Sequence, residues 1–92
     1  MIDTPYSIAS FGVDNIGRIY VVDAGRGVVT RYTSWVDGAT KSREIGREGT
    51  ALGQLANPRF LVPDTESRIY VVERDNVRVQ WLSTSGNPVT AF

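Results

Sequence analysis

The sequence of 92 residues has no cysteine and no histidine, and its ten basic side chains include a single lysine. Without cysteine there is no disulfide, no thiol nucleophile and no thiolate metal site. Without histidine the chain lacks the commonest general base and metal ligand. The ten basic and ten acidic residues cancel to a net charge of zero, which argues against a nucleic acid or an anionic membrane as partner. Most catalytic mechanisms are excluded, and we predict no cofactor.

Long apolar runs are also missing. None approaches the ~20 residues that a membrane helix needs, and Met1 is not followed by a basic region and an apolar core. We therefore predict no membrane span and no signal peptide, and the compartment stays open. The abundant residues are β-branched: 26 of the 92 are Val, Ile or Thr, which fit a pleated sheet. The 13 Gly and Pro residues suit many tight turns.

One segment of the chain occurs twice, at an offset of fifty residues. Residues 18–23 read RIYVVD and residues 68–73 read RIYVVE. The match extends outward, because Asp14 and Asp64 each stand four residues before the repeated arginine. Self-similarity at a fixed spacing is the mark of repeat architectures. We infer that the chain contains two copies of one structural unit.

Each unit is predicted to form four short strands separated by turn residues. The predicted ranges are 6–13, 18–23, 27–33 and 40–45 in the first copy, and 59–63, 68–73, 77–83 and 88–92 in the second. The second strand of each copy is apolar on both faces, which indicates a strand covered from both sides. A parallel α/β sheet would need helical crossovers of a dozen or more residues, and the intervals that follow Asp23 and Glu73 are too short for that. A β-propeller blade, packed between two neighbouring blades, fits the pattern.

These residues resemble NHL repeats. The second copy carries most of the motif: Gly46, Gly49, Gly53-Gln54-Leu55, Asn57-Pro58, Asp64, 68–73, Asp75-Asn76, Arg78-Val79-Gln80 and Gly86. The first copy matches over 12–14, 17–23 and Val29, but has Arg26-Gly27-Val28 where the family has Asn-x-Arg. The resemblance covers nearly the whole chain and implies a β-propeller, often of six blades.

The predicted organisation is a first blade over 1–45, a crossing loop over 46–57 and a second blade over 58–92. Two blades cannot close a ring, and the open sheet faces would expose large apolar surfaces. The chain is either a piece of a longer propeller or a subunit that assembles head to tail. We favour a homotrimer that completes a six-bladed, all-β propeller. The expected anchors of its interfaces are Tyr20, Tyr70, Trp81 and Phe92.

The predicted function is a non-enzymatic scaffold that binds a protein or peptide. Four arginines fall on loops that share one face of a propeller: Arg26, Arg47, Arg59 and Arg74. Four acids fall on the same loops, namely Asp23, Glu48, Glu73 and Asp75, and this local balance disfavours a phosphate-binding face. Arginine is favoured at protein interfaces. Trp35, in a turn, is a further candidate for contact with a ligand or with a neighbouring subunit.

Two alternatives stay open. The first is a metal-dependent hydrolase or lyase on the propeller axis, in which Asp14 and Asp64 would be the metal ligands. Against it, aspartate at a strand end commonly binds backbone amides of a turn, and the first strands contain no acid. The second alternative is a sugar-binding propeller, which rests on Trp35. We predict no catalytic residues.

Overall fold

The computed structural model describes residues 8–64 and 68–91, and this part of the chain forms eight strands and no helix. The strands are β1 (Ile8–Val13), β2 (Ile19–Asp23), β3 (Val28–Tyr32), β4 (Lys41–Ile45), β5 (Pro58–Pro63), β6 (Arg68–Glu73), β7 (Arg78–Ser83) and β8 (Pro88–Ala91). They make two four-stranded antiparallel sheets, β1-β2-β3-β4 (sheet 1) and β5-β6-β7-β8 (sheet 2). The all-β prediction and the two four-stranded units are confirmed. The predicted strand residues 6, 7 and 92 lie outside the described residues.

The repeat in sequence is also a repeat in register. In sheet 1, Phe11 pairs with Val21, and in sheet 2, Leu61 pairs with Val71, fifty residues later. Each first strand has an irregularity at the same place, between Ile8 and Ser10 and between Pro58 and Phe60. Each third strand has another, at 31/32 and at 81/82. Because bulges re-aim the strand that carries them, the first and third strands of both sheets change direction at equivalent residues.

The turn between the first and second strands follows from its aspartate. Asp14 Oδ1 accepts hydrogen bonds from the amides of Ile16 (3.1 Å) and Arg18 (2.9 Å). In the second copy, Asp64 Oδ1 accepts from the Arg68 amide at 3.1 Å. Both aspartates also form a backbone bond to the carbonyl of the repeated arginine. The repeated aspartates are thus turn-forming residues, as side chains that compete for backbone amides commonly are.

The two sheets stack face to face and share one apolar core. Sheet 1 contributes Tyr20, Val22, Val29 and Ile45, and sheet 2 contributes Leu61, Ile69, Val71 and Leu82, with Leu55 from the segment between the sheets. The first strands lie close together, because a Cβ on Gly12 would stand 2.9 Å from Leu61 Cδ2. A second contact joins the third strand of sheet 1 to the end of the third strand of sheet 2, where Arg31 Nη1 donates to the Thr84 carbonyl at 2.7 Å.

The position of Tyr20 differs from the sequence prediction. Tyr20 was expected to anchor a contact between subunits, but its exposed fraction is 0% because sheet 2 of the same chain covers it. Its hydroxyl donates to Asp14 Oδ2 at 2.7 Å. Burial and the neighbouring carboxylate raise the pKa of the Tyr20 hydroxyl well above its ordinary value. Tyr20 therefore belongs to the internal core of the chain.

Candidate interaction surfaces

One edge of the molecule collects three loops, which we call the loop edge: the β2–β3 turn (24–27), the β6–β7 turn (74–77) and the segment 46–57. The amides of Arg74 and Asp75 donate to the carbonyls of Asn57 and Ala56. Gly27 has a positive φ of 66°, and a Cβ there would lie 2.8 Å from Glu48 Cα. A side chain would not fit at that contact. The sequence-based expectation that these loops lie together is met within this chain.

A buried polar network centred on Glu73 holds the loop edge to sheet 2. Arg78 Nε donates to Glu73 Oε2 at 2.6 Å, and Gln80 Nε2 donates to the same oxygen at 3.0 Å. Glu73 Oε1 accepts from the Ala56 amide at 3.0 Å and from Asn76 at 2.8 Å. Arg78 reaches further, to the carbonyls of residues 50, 51 and 54. The network satisfies both carboxylate oxygens, as a buried charge requires.

The pKa of Glu73 reflects this network. Burial alone raises the pKa of a carboxyl, but the hydrogen bonds from Arg78, Ala56, Gln80 and Asn76 outweigh it and hold the Glu73 pKa below its ordinary value. A carboxylate with a lowered pKa stabilises the fold above its ordinary pKa, and that contribution disappears as the pH falls through the folded-state value.

We expect Glu73→Gln to lower the free energy of unfolding at pH 7 by about 3–5 kcal/mol, because Arg78, whose side chain is 16% exposed, loses its counter-charge. As the pH falls below about 4.5, the ordinary value for this carboxyl, the wild type should lose more stability than the variant. Urea denaturation across the pH range measures both effects. Glu48→Gln, at an exposed position of the loop edge, is the control. A Glu73→Gln protein as stable as the wild type at pH 7 would contradict this role.

Asp23 occupies the position of Glu73 in the first copy, but its surroundings are different. Its side chain is fully buried, and Oδ1 accepts from the Arg26 amide at 3.2 Å. Oδ2 accepts no hydrogen bond within the described part of the chain and lies 3.9 Å from Arg26 Nη1. Arg26 also binds Glu44 at 2.8 Å. Without an Asn-x-Arg motif, the first copy therefore has one weaker ion pair in place of the Glu73 network.

The charge of the loop edge differs from the balance counted in the sequence. Arg26, Arg47, Arg59 and Arg74 are all exposed. Two of the four acids on these loops, Asp23 and Glu73, are buried, and only Glu48 and Asp75 face solvent. The expected balance of four charges against four is therefore wrong at the surface. Arg26, Arg47 and Arg74 of the loop edge and Arg59 of β5 stand beside Glu48 and Asp75, and Arg26 is paired with Glu44 of β4. Sequence alone could not reveal this, because burial of an acid depends on which segments of the folded chain cover it.

The alternative metal ligands are already engaged. Asp14 Oδ2 binds Arg18 Nε and the Tyr20 hydroxyl, each at 2.7 Å. Burial raises the pKa of Asp14, but the bonds from Tyr20 and Arg18 outweigh it and hold that pKa below its ordinary value. A cation at Asp14 would have to displace the Arg18 guanidinium. Across residues 8–64 and 68–91 there is no group of three or more carboxylates arranged to hold a metal ion.

Sheet 1 presents an unpaired apolar surface on the side away from sheet 2. This outer face 1 is formed by Phe11, Val13, Ile19 and Val21, with Trp35 beside them. Phe11 is 68% exposed and Trp35 is 73% exposed. The lining of the depression at Trp35 is entirely apolar, so it has no groups to bind sugar hydroxyls. Trp35 therefore stands in a surface suited to apolar contact.

Sheet 2 presents a second apolar surface on the opposite side of the molecule. This outer face 2 is formed by Phe60, Val62, Tyr70, Val72 and Trp81, which share one side of the sheet by register. Phe60 is 60% exposed. Tyr70 and Trp81 stack with ring centroids 5.4 Å apart, and the guanidinium carbon of Arg68 lies 4.4 Å from the Trp81 ring centroid. Such stacking and cation–π contacts fix the orientation of the rings.

The predicted interface anchors are thus divided. Tyr70 and Trp81 lie on outer face 2, Tyr20 lies in the internal core, and Phe92 is outside the described residues. Sequence reasoning missed Phe11 and Phe60, the most exposed members of the two outer faces. No sequence signal marked them, because the outward side of each sheet depends on which faces pack together inside the chain.

No family model matches the chain. Within the described residues, no helix is long and apolar enough to cross a membrane.

Proposed function

We propose that this chain is a non-enzymatic β-propeller module of two NHL-like blades, assembled as a homotrimeric ring and used as a scaffold that binds a protein or peptide. The observation that carries the proposal is the pair of exposed apolar sheet faces on opposite sides of one subunit. Soluble monomers rarely expose contiguous apolar patches of this kind. Faces that differ from each other pair head to tail, and such contacts close into a ring when the rotation allows.

The loop edge is the proposed binding surface. In a ring, the three copies would present the exposed arginines of the loop edge, Arg26, Arg47 and Arg74, on one side, with the exposed Arg59 next to this edge at the start of β5. The surplus of arginine over exposed acid favours an acidic segment of a protein as partner, since arginine binds carboxylates through two parallel hydrogen bonds. The buried Glu73 network would keep these loops rigid, which limits the entropy lost on binding.

The solution mass tests the assembly. Light scattering after size exclusion should give about 30 kDa, three times the chain mass of 10.1 kDa. A mass of 10 kDa at all concentrations would end the proposal.

The binding surface has its own test. A fluorescent glutamate-rich peptide should bind the wild type and bind an Arg47→Ala/Arg74→Ala variant at least tenfold more weakly. Arg43→Ala, on β4 and away from the loop edge, is the control. Binding of a lysine-rich peptide with equal affinity, or an unchanged affinity in the double variant, would contradict the choice of surface.

A further inference from the structure

The internal repeat relates the two outer faces to the two faces that already pack together inside the chain. Shifted by fifty residues, the inner-face positions 10, 12, 20 and 22 of sheet 1 become positions 60, 62, 70 and 72, which belong to outer face 2. Conversely, positions 61, 63, 69 and 71 on the inner face of sheet 2 correspond to 11, 13, 19 and 21 on outer face 1. The unpaired surfaces of the subunit are therefore the same pair of surfaces that the chain joins internally.

The internal contacts then serve as a template for contacts between copies. Inside the chain, Gly12 packs against Leu61, and the equivalent positions are Val62 and Phe11. Inside the chain, Arg31 reaches across to the Thr84 carbonyl, and Arg43 Nη1 lies 3.5 Å from the Ser85 carbonyl. The position equivalent to Arg31 is 81. Counted from the equivalent strand ends at Thr33 and Ser83, positions 84 and 85 correspond to 34 and 35, the first residues of a β3–β4 loop that is three residues longer than the β7–β8 loop.

We infer that copies of this chain join in one fixed register, with Val62 of one copy against Phe11 of the next and Trp81 packed beside Trp35 of the next. The inference rests on the proposed ring and assigns Trp35 to the subunit contact. It accounts for a tryptophan that is 73% exposed in a turn beside a wholly apolar depression. It also accounts for the Tyr70–Trp81 stack, because a fixed pair of rings can present a flat apolar surface to a partner.

The two kinds of junction differ in one respect. The internal junction has glycine and leucine at the first strands, whereas the junction between copies has valine and phenylalanine. The larger side chains set the first strands farther apart between copies than within a chain, because side-chain volume decides how closely two sheets approach. A ring built this way alternates narrow junctions within each chain and wide junctions between chains.

The fluorescence of Trp35 tests the contact. The chain has two tryptophans, so Trp81→Phe leaves Trp35 as the single reporter while keeping an aromatic ring on Tyr70. On dilution from oligomer to monomer, the Trp35 emission should move to longer wavelength and become accessible to iodide quenching. Emission that stays the same across the transition would overturn the contact, even where the mass shows a trimer. A chain that is monomeric throughout would overturn the ring and the contact together.

A pair of charges tests the register. Phe11→Asp should weaken association by about a hundredfold, since it places an unpaired charge in an apolar contact. Adding Val62→Lys should restore association by about tenfold or more, because the two charges meet across the junction. Leu52→Lys, at an exposed position off both faces, should restore nothing when combined with Phe11→Asp. Equal recovery with both lysines, or with neither, would overturn the register.

Discussion

Val71→Asp is expected to leave the chain unfolded at any practical concentration. Val71 has no exposed surface and lies in the core between the two sheets, with Tyr20, Val22 and Leu61. A carboxylate there would be desolvated among the apolar side chains of the core. The expected cost is above about 5 kcal/mol, which is comparable to the whole stability of a small domain.

Circular dichroism and thermal denaturation test this prediction. The matched control is Val36→Asp, the same change at a valine that is 94% exposed in the β3–β4 turn; its stability should stay within about 0.5 kcal/mol of the wild type. A folded Val71→Asp protein with a cooperative melting transition would contradict the shared core of the two sheets.

Phe60→Asp is expected to dissociate the proposed trimer into monomers while leaving each subunit folded. Phe60 is 60% exposed on outer face 2, so the charge is solvated in the monomer and buried only in the proposed junction. The mass should fall from about 30 kDa to 10.1 kDa, with an unchanged circular dichroism spectrum. Leu52→Asp, an equally exposed leucine in the segment between the sheets, should leave the mass unchanged.

Mixing two variants that each lack one outer face extends this test. A Phe11→Asp copy keeps outer face 2, and a Phe60→Asp copy keeps outer face 1. Together they have one intact junction, so their mixture should not exceed two chains. A mixture that recovers the full wild-type mass, or a Phe60→Asp protein that stays assembled by itself, would contradict head-to-tail pairing of the two outer faces.

The sequence predicted the strands well because their signals are local. Repeated aspartates at 14 and 64 mark the same turn, and the RIYVV segments mark the same second strand. The fifty-residue offset recurs in the pairing of the first and second strands, because the repeated residues form equal registers in the two sheets. The strand or turn to which a residue belongs can therefore largely be predicted from the sequence.

The sequence did not predict which side of each sheet packs against the other sheet. In β2, Tyr20 and Val21 are both apolar, so periodicity gives no preference between the two faces. The structure turns Tyr20 toward sheet 2, which is why its predicted place in a subunit contact was wrong. The same ambiguity concealed Phe11 and Phe60, whose exposure depends on which faces the connection through 46–57 brings together.

The surface charge of the loop edge could not be predicted from the sequence for a different reason. Asp23 and Glu73 are repeated acids in equivalent positions, and both look like surface charges beside a turn. Glu73 is buried with Arg78 and Gln80 of β7 as donors, whereas Asp23 is equally buried with the Arg26 amide as its donor. Burial of these acids is thus a property of the folded strand ends and loops, and composition does not record it.

Counting the subunits in one particle tests the central claim most directly. Wild-type chain and chain labelled uniformly with heavy isotopes would be mixed, exchanged through the monomer and measured by native mass spectrometry. A closed trimer predicts four species separated by equal mass steps, with none, one, two or three heavy chains, at about 30 kDa. Single chains of 10.1 kDa, or an open series of larger oligomers without a limit, would contradict the account.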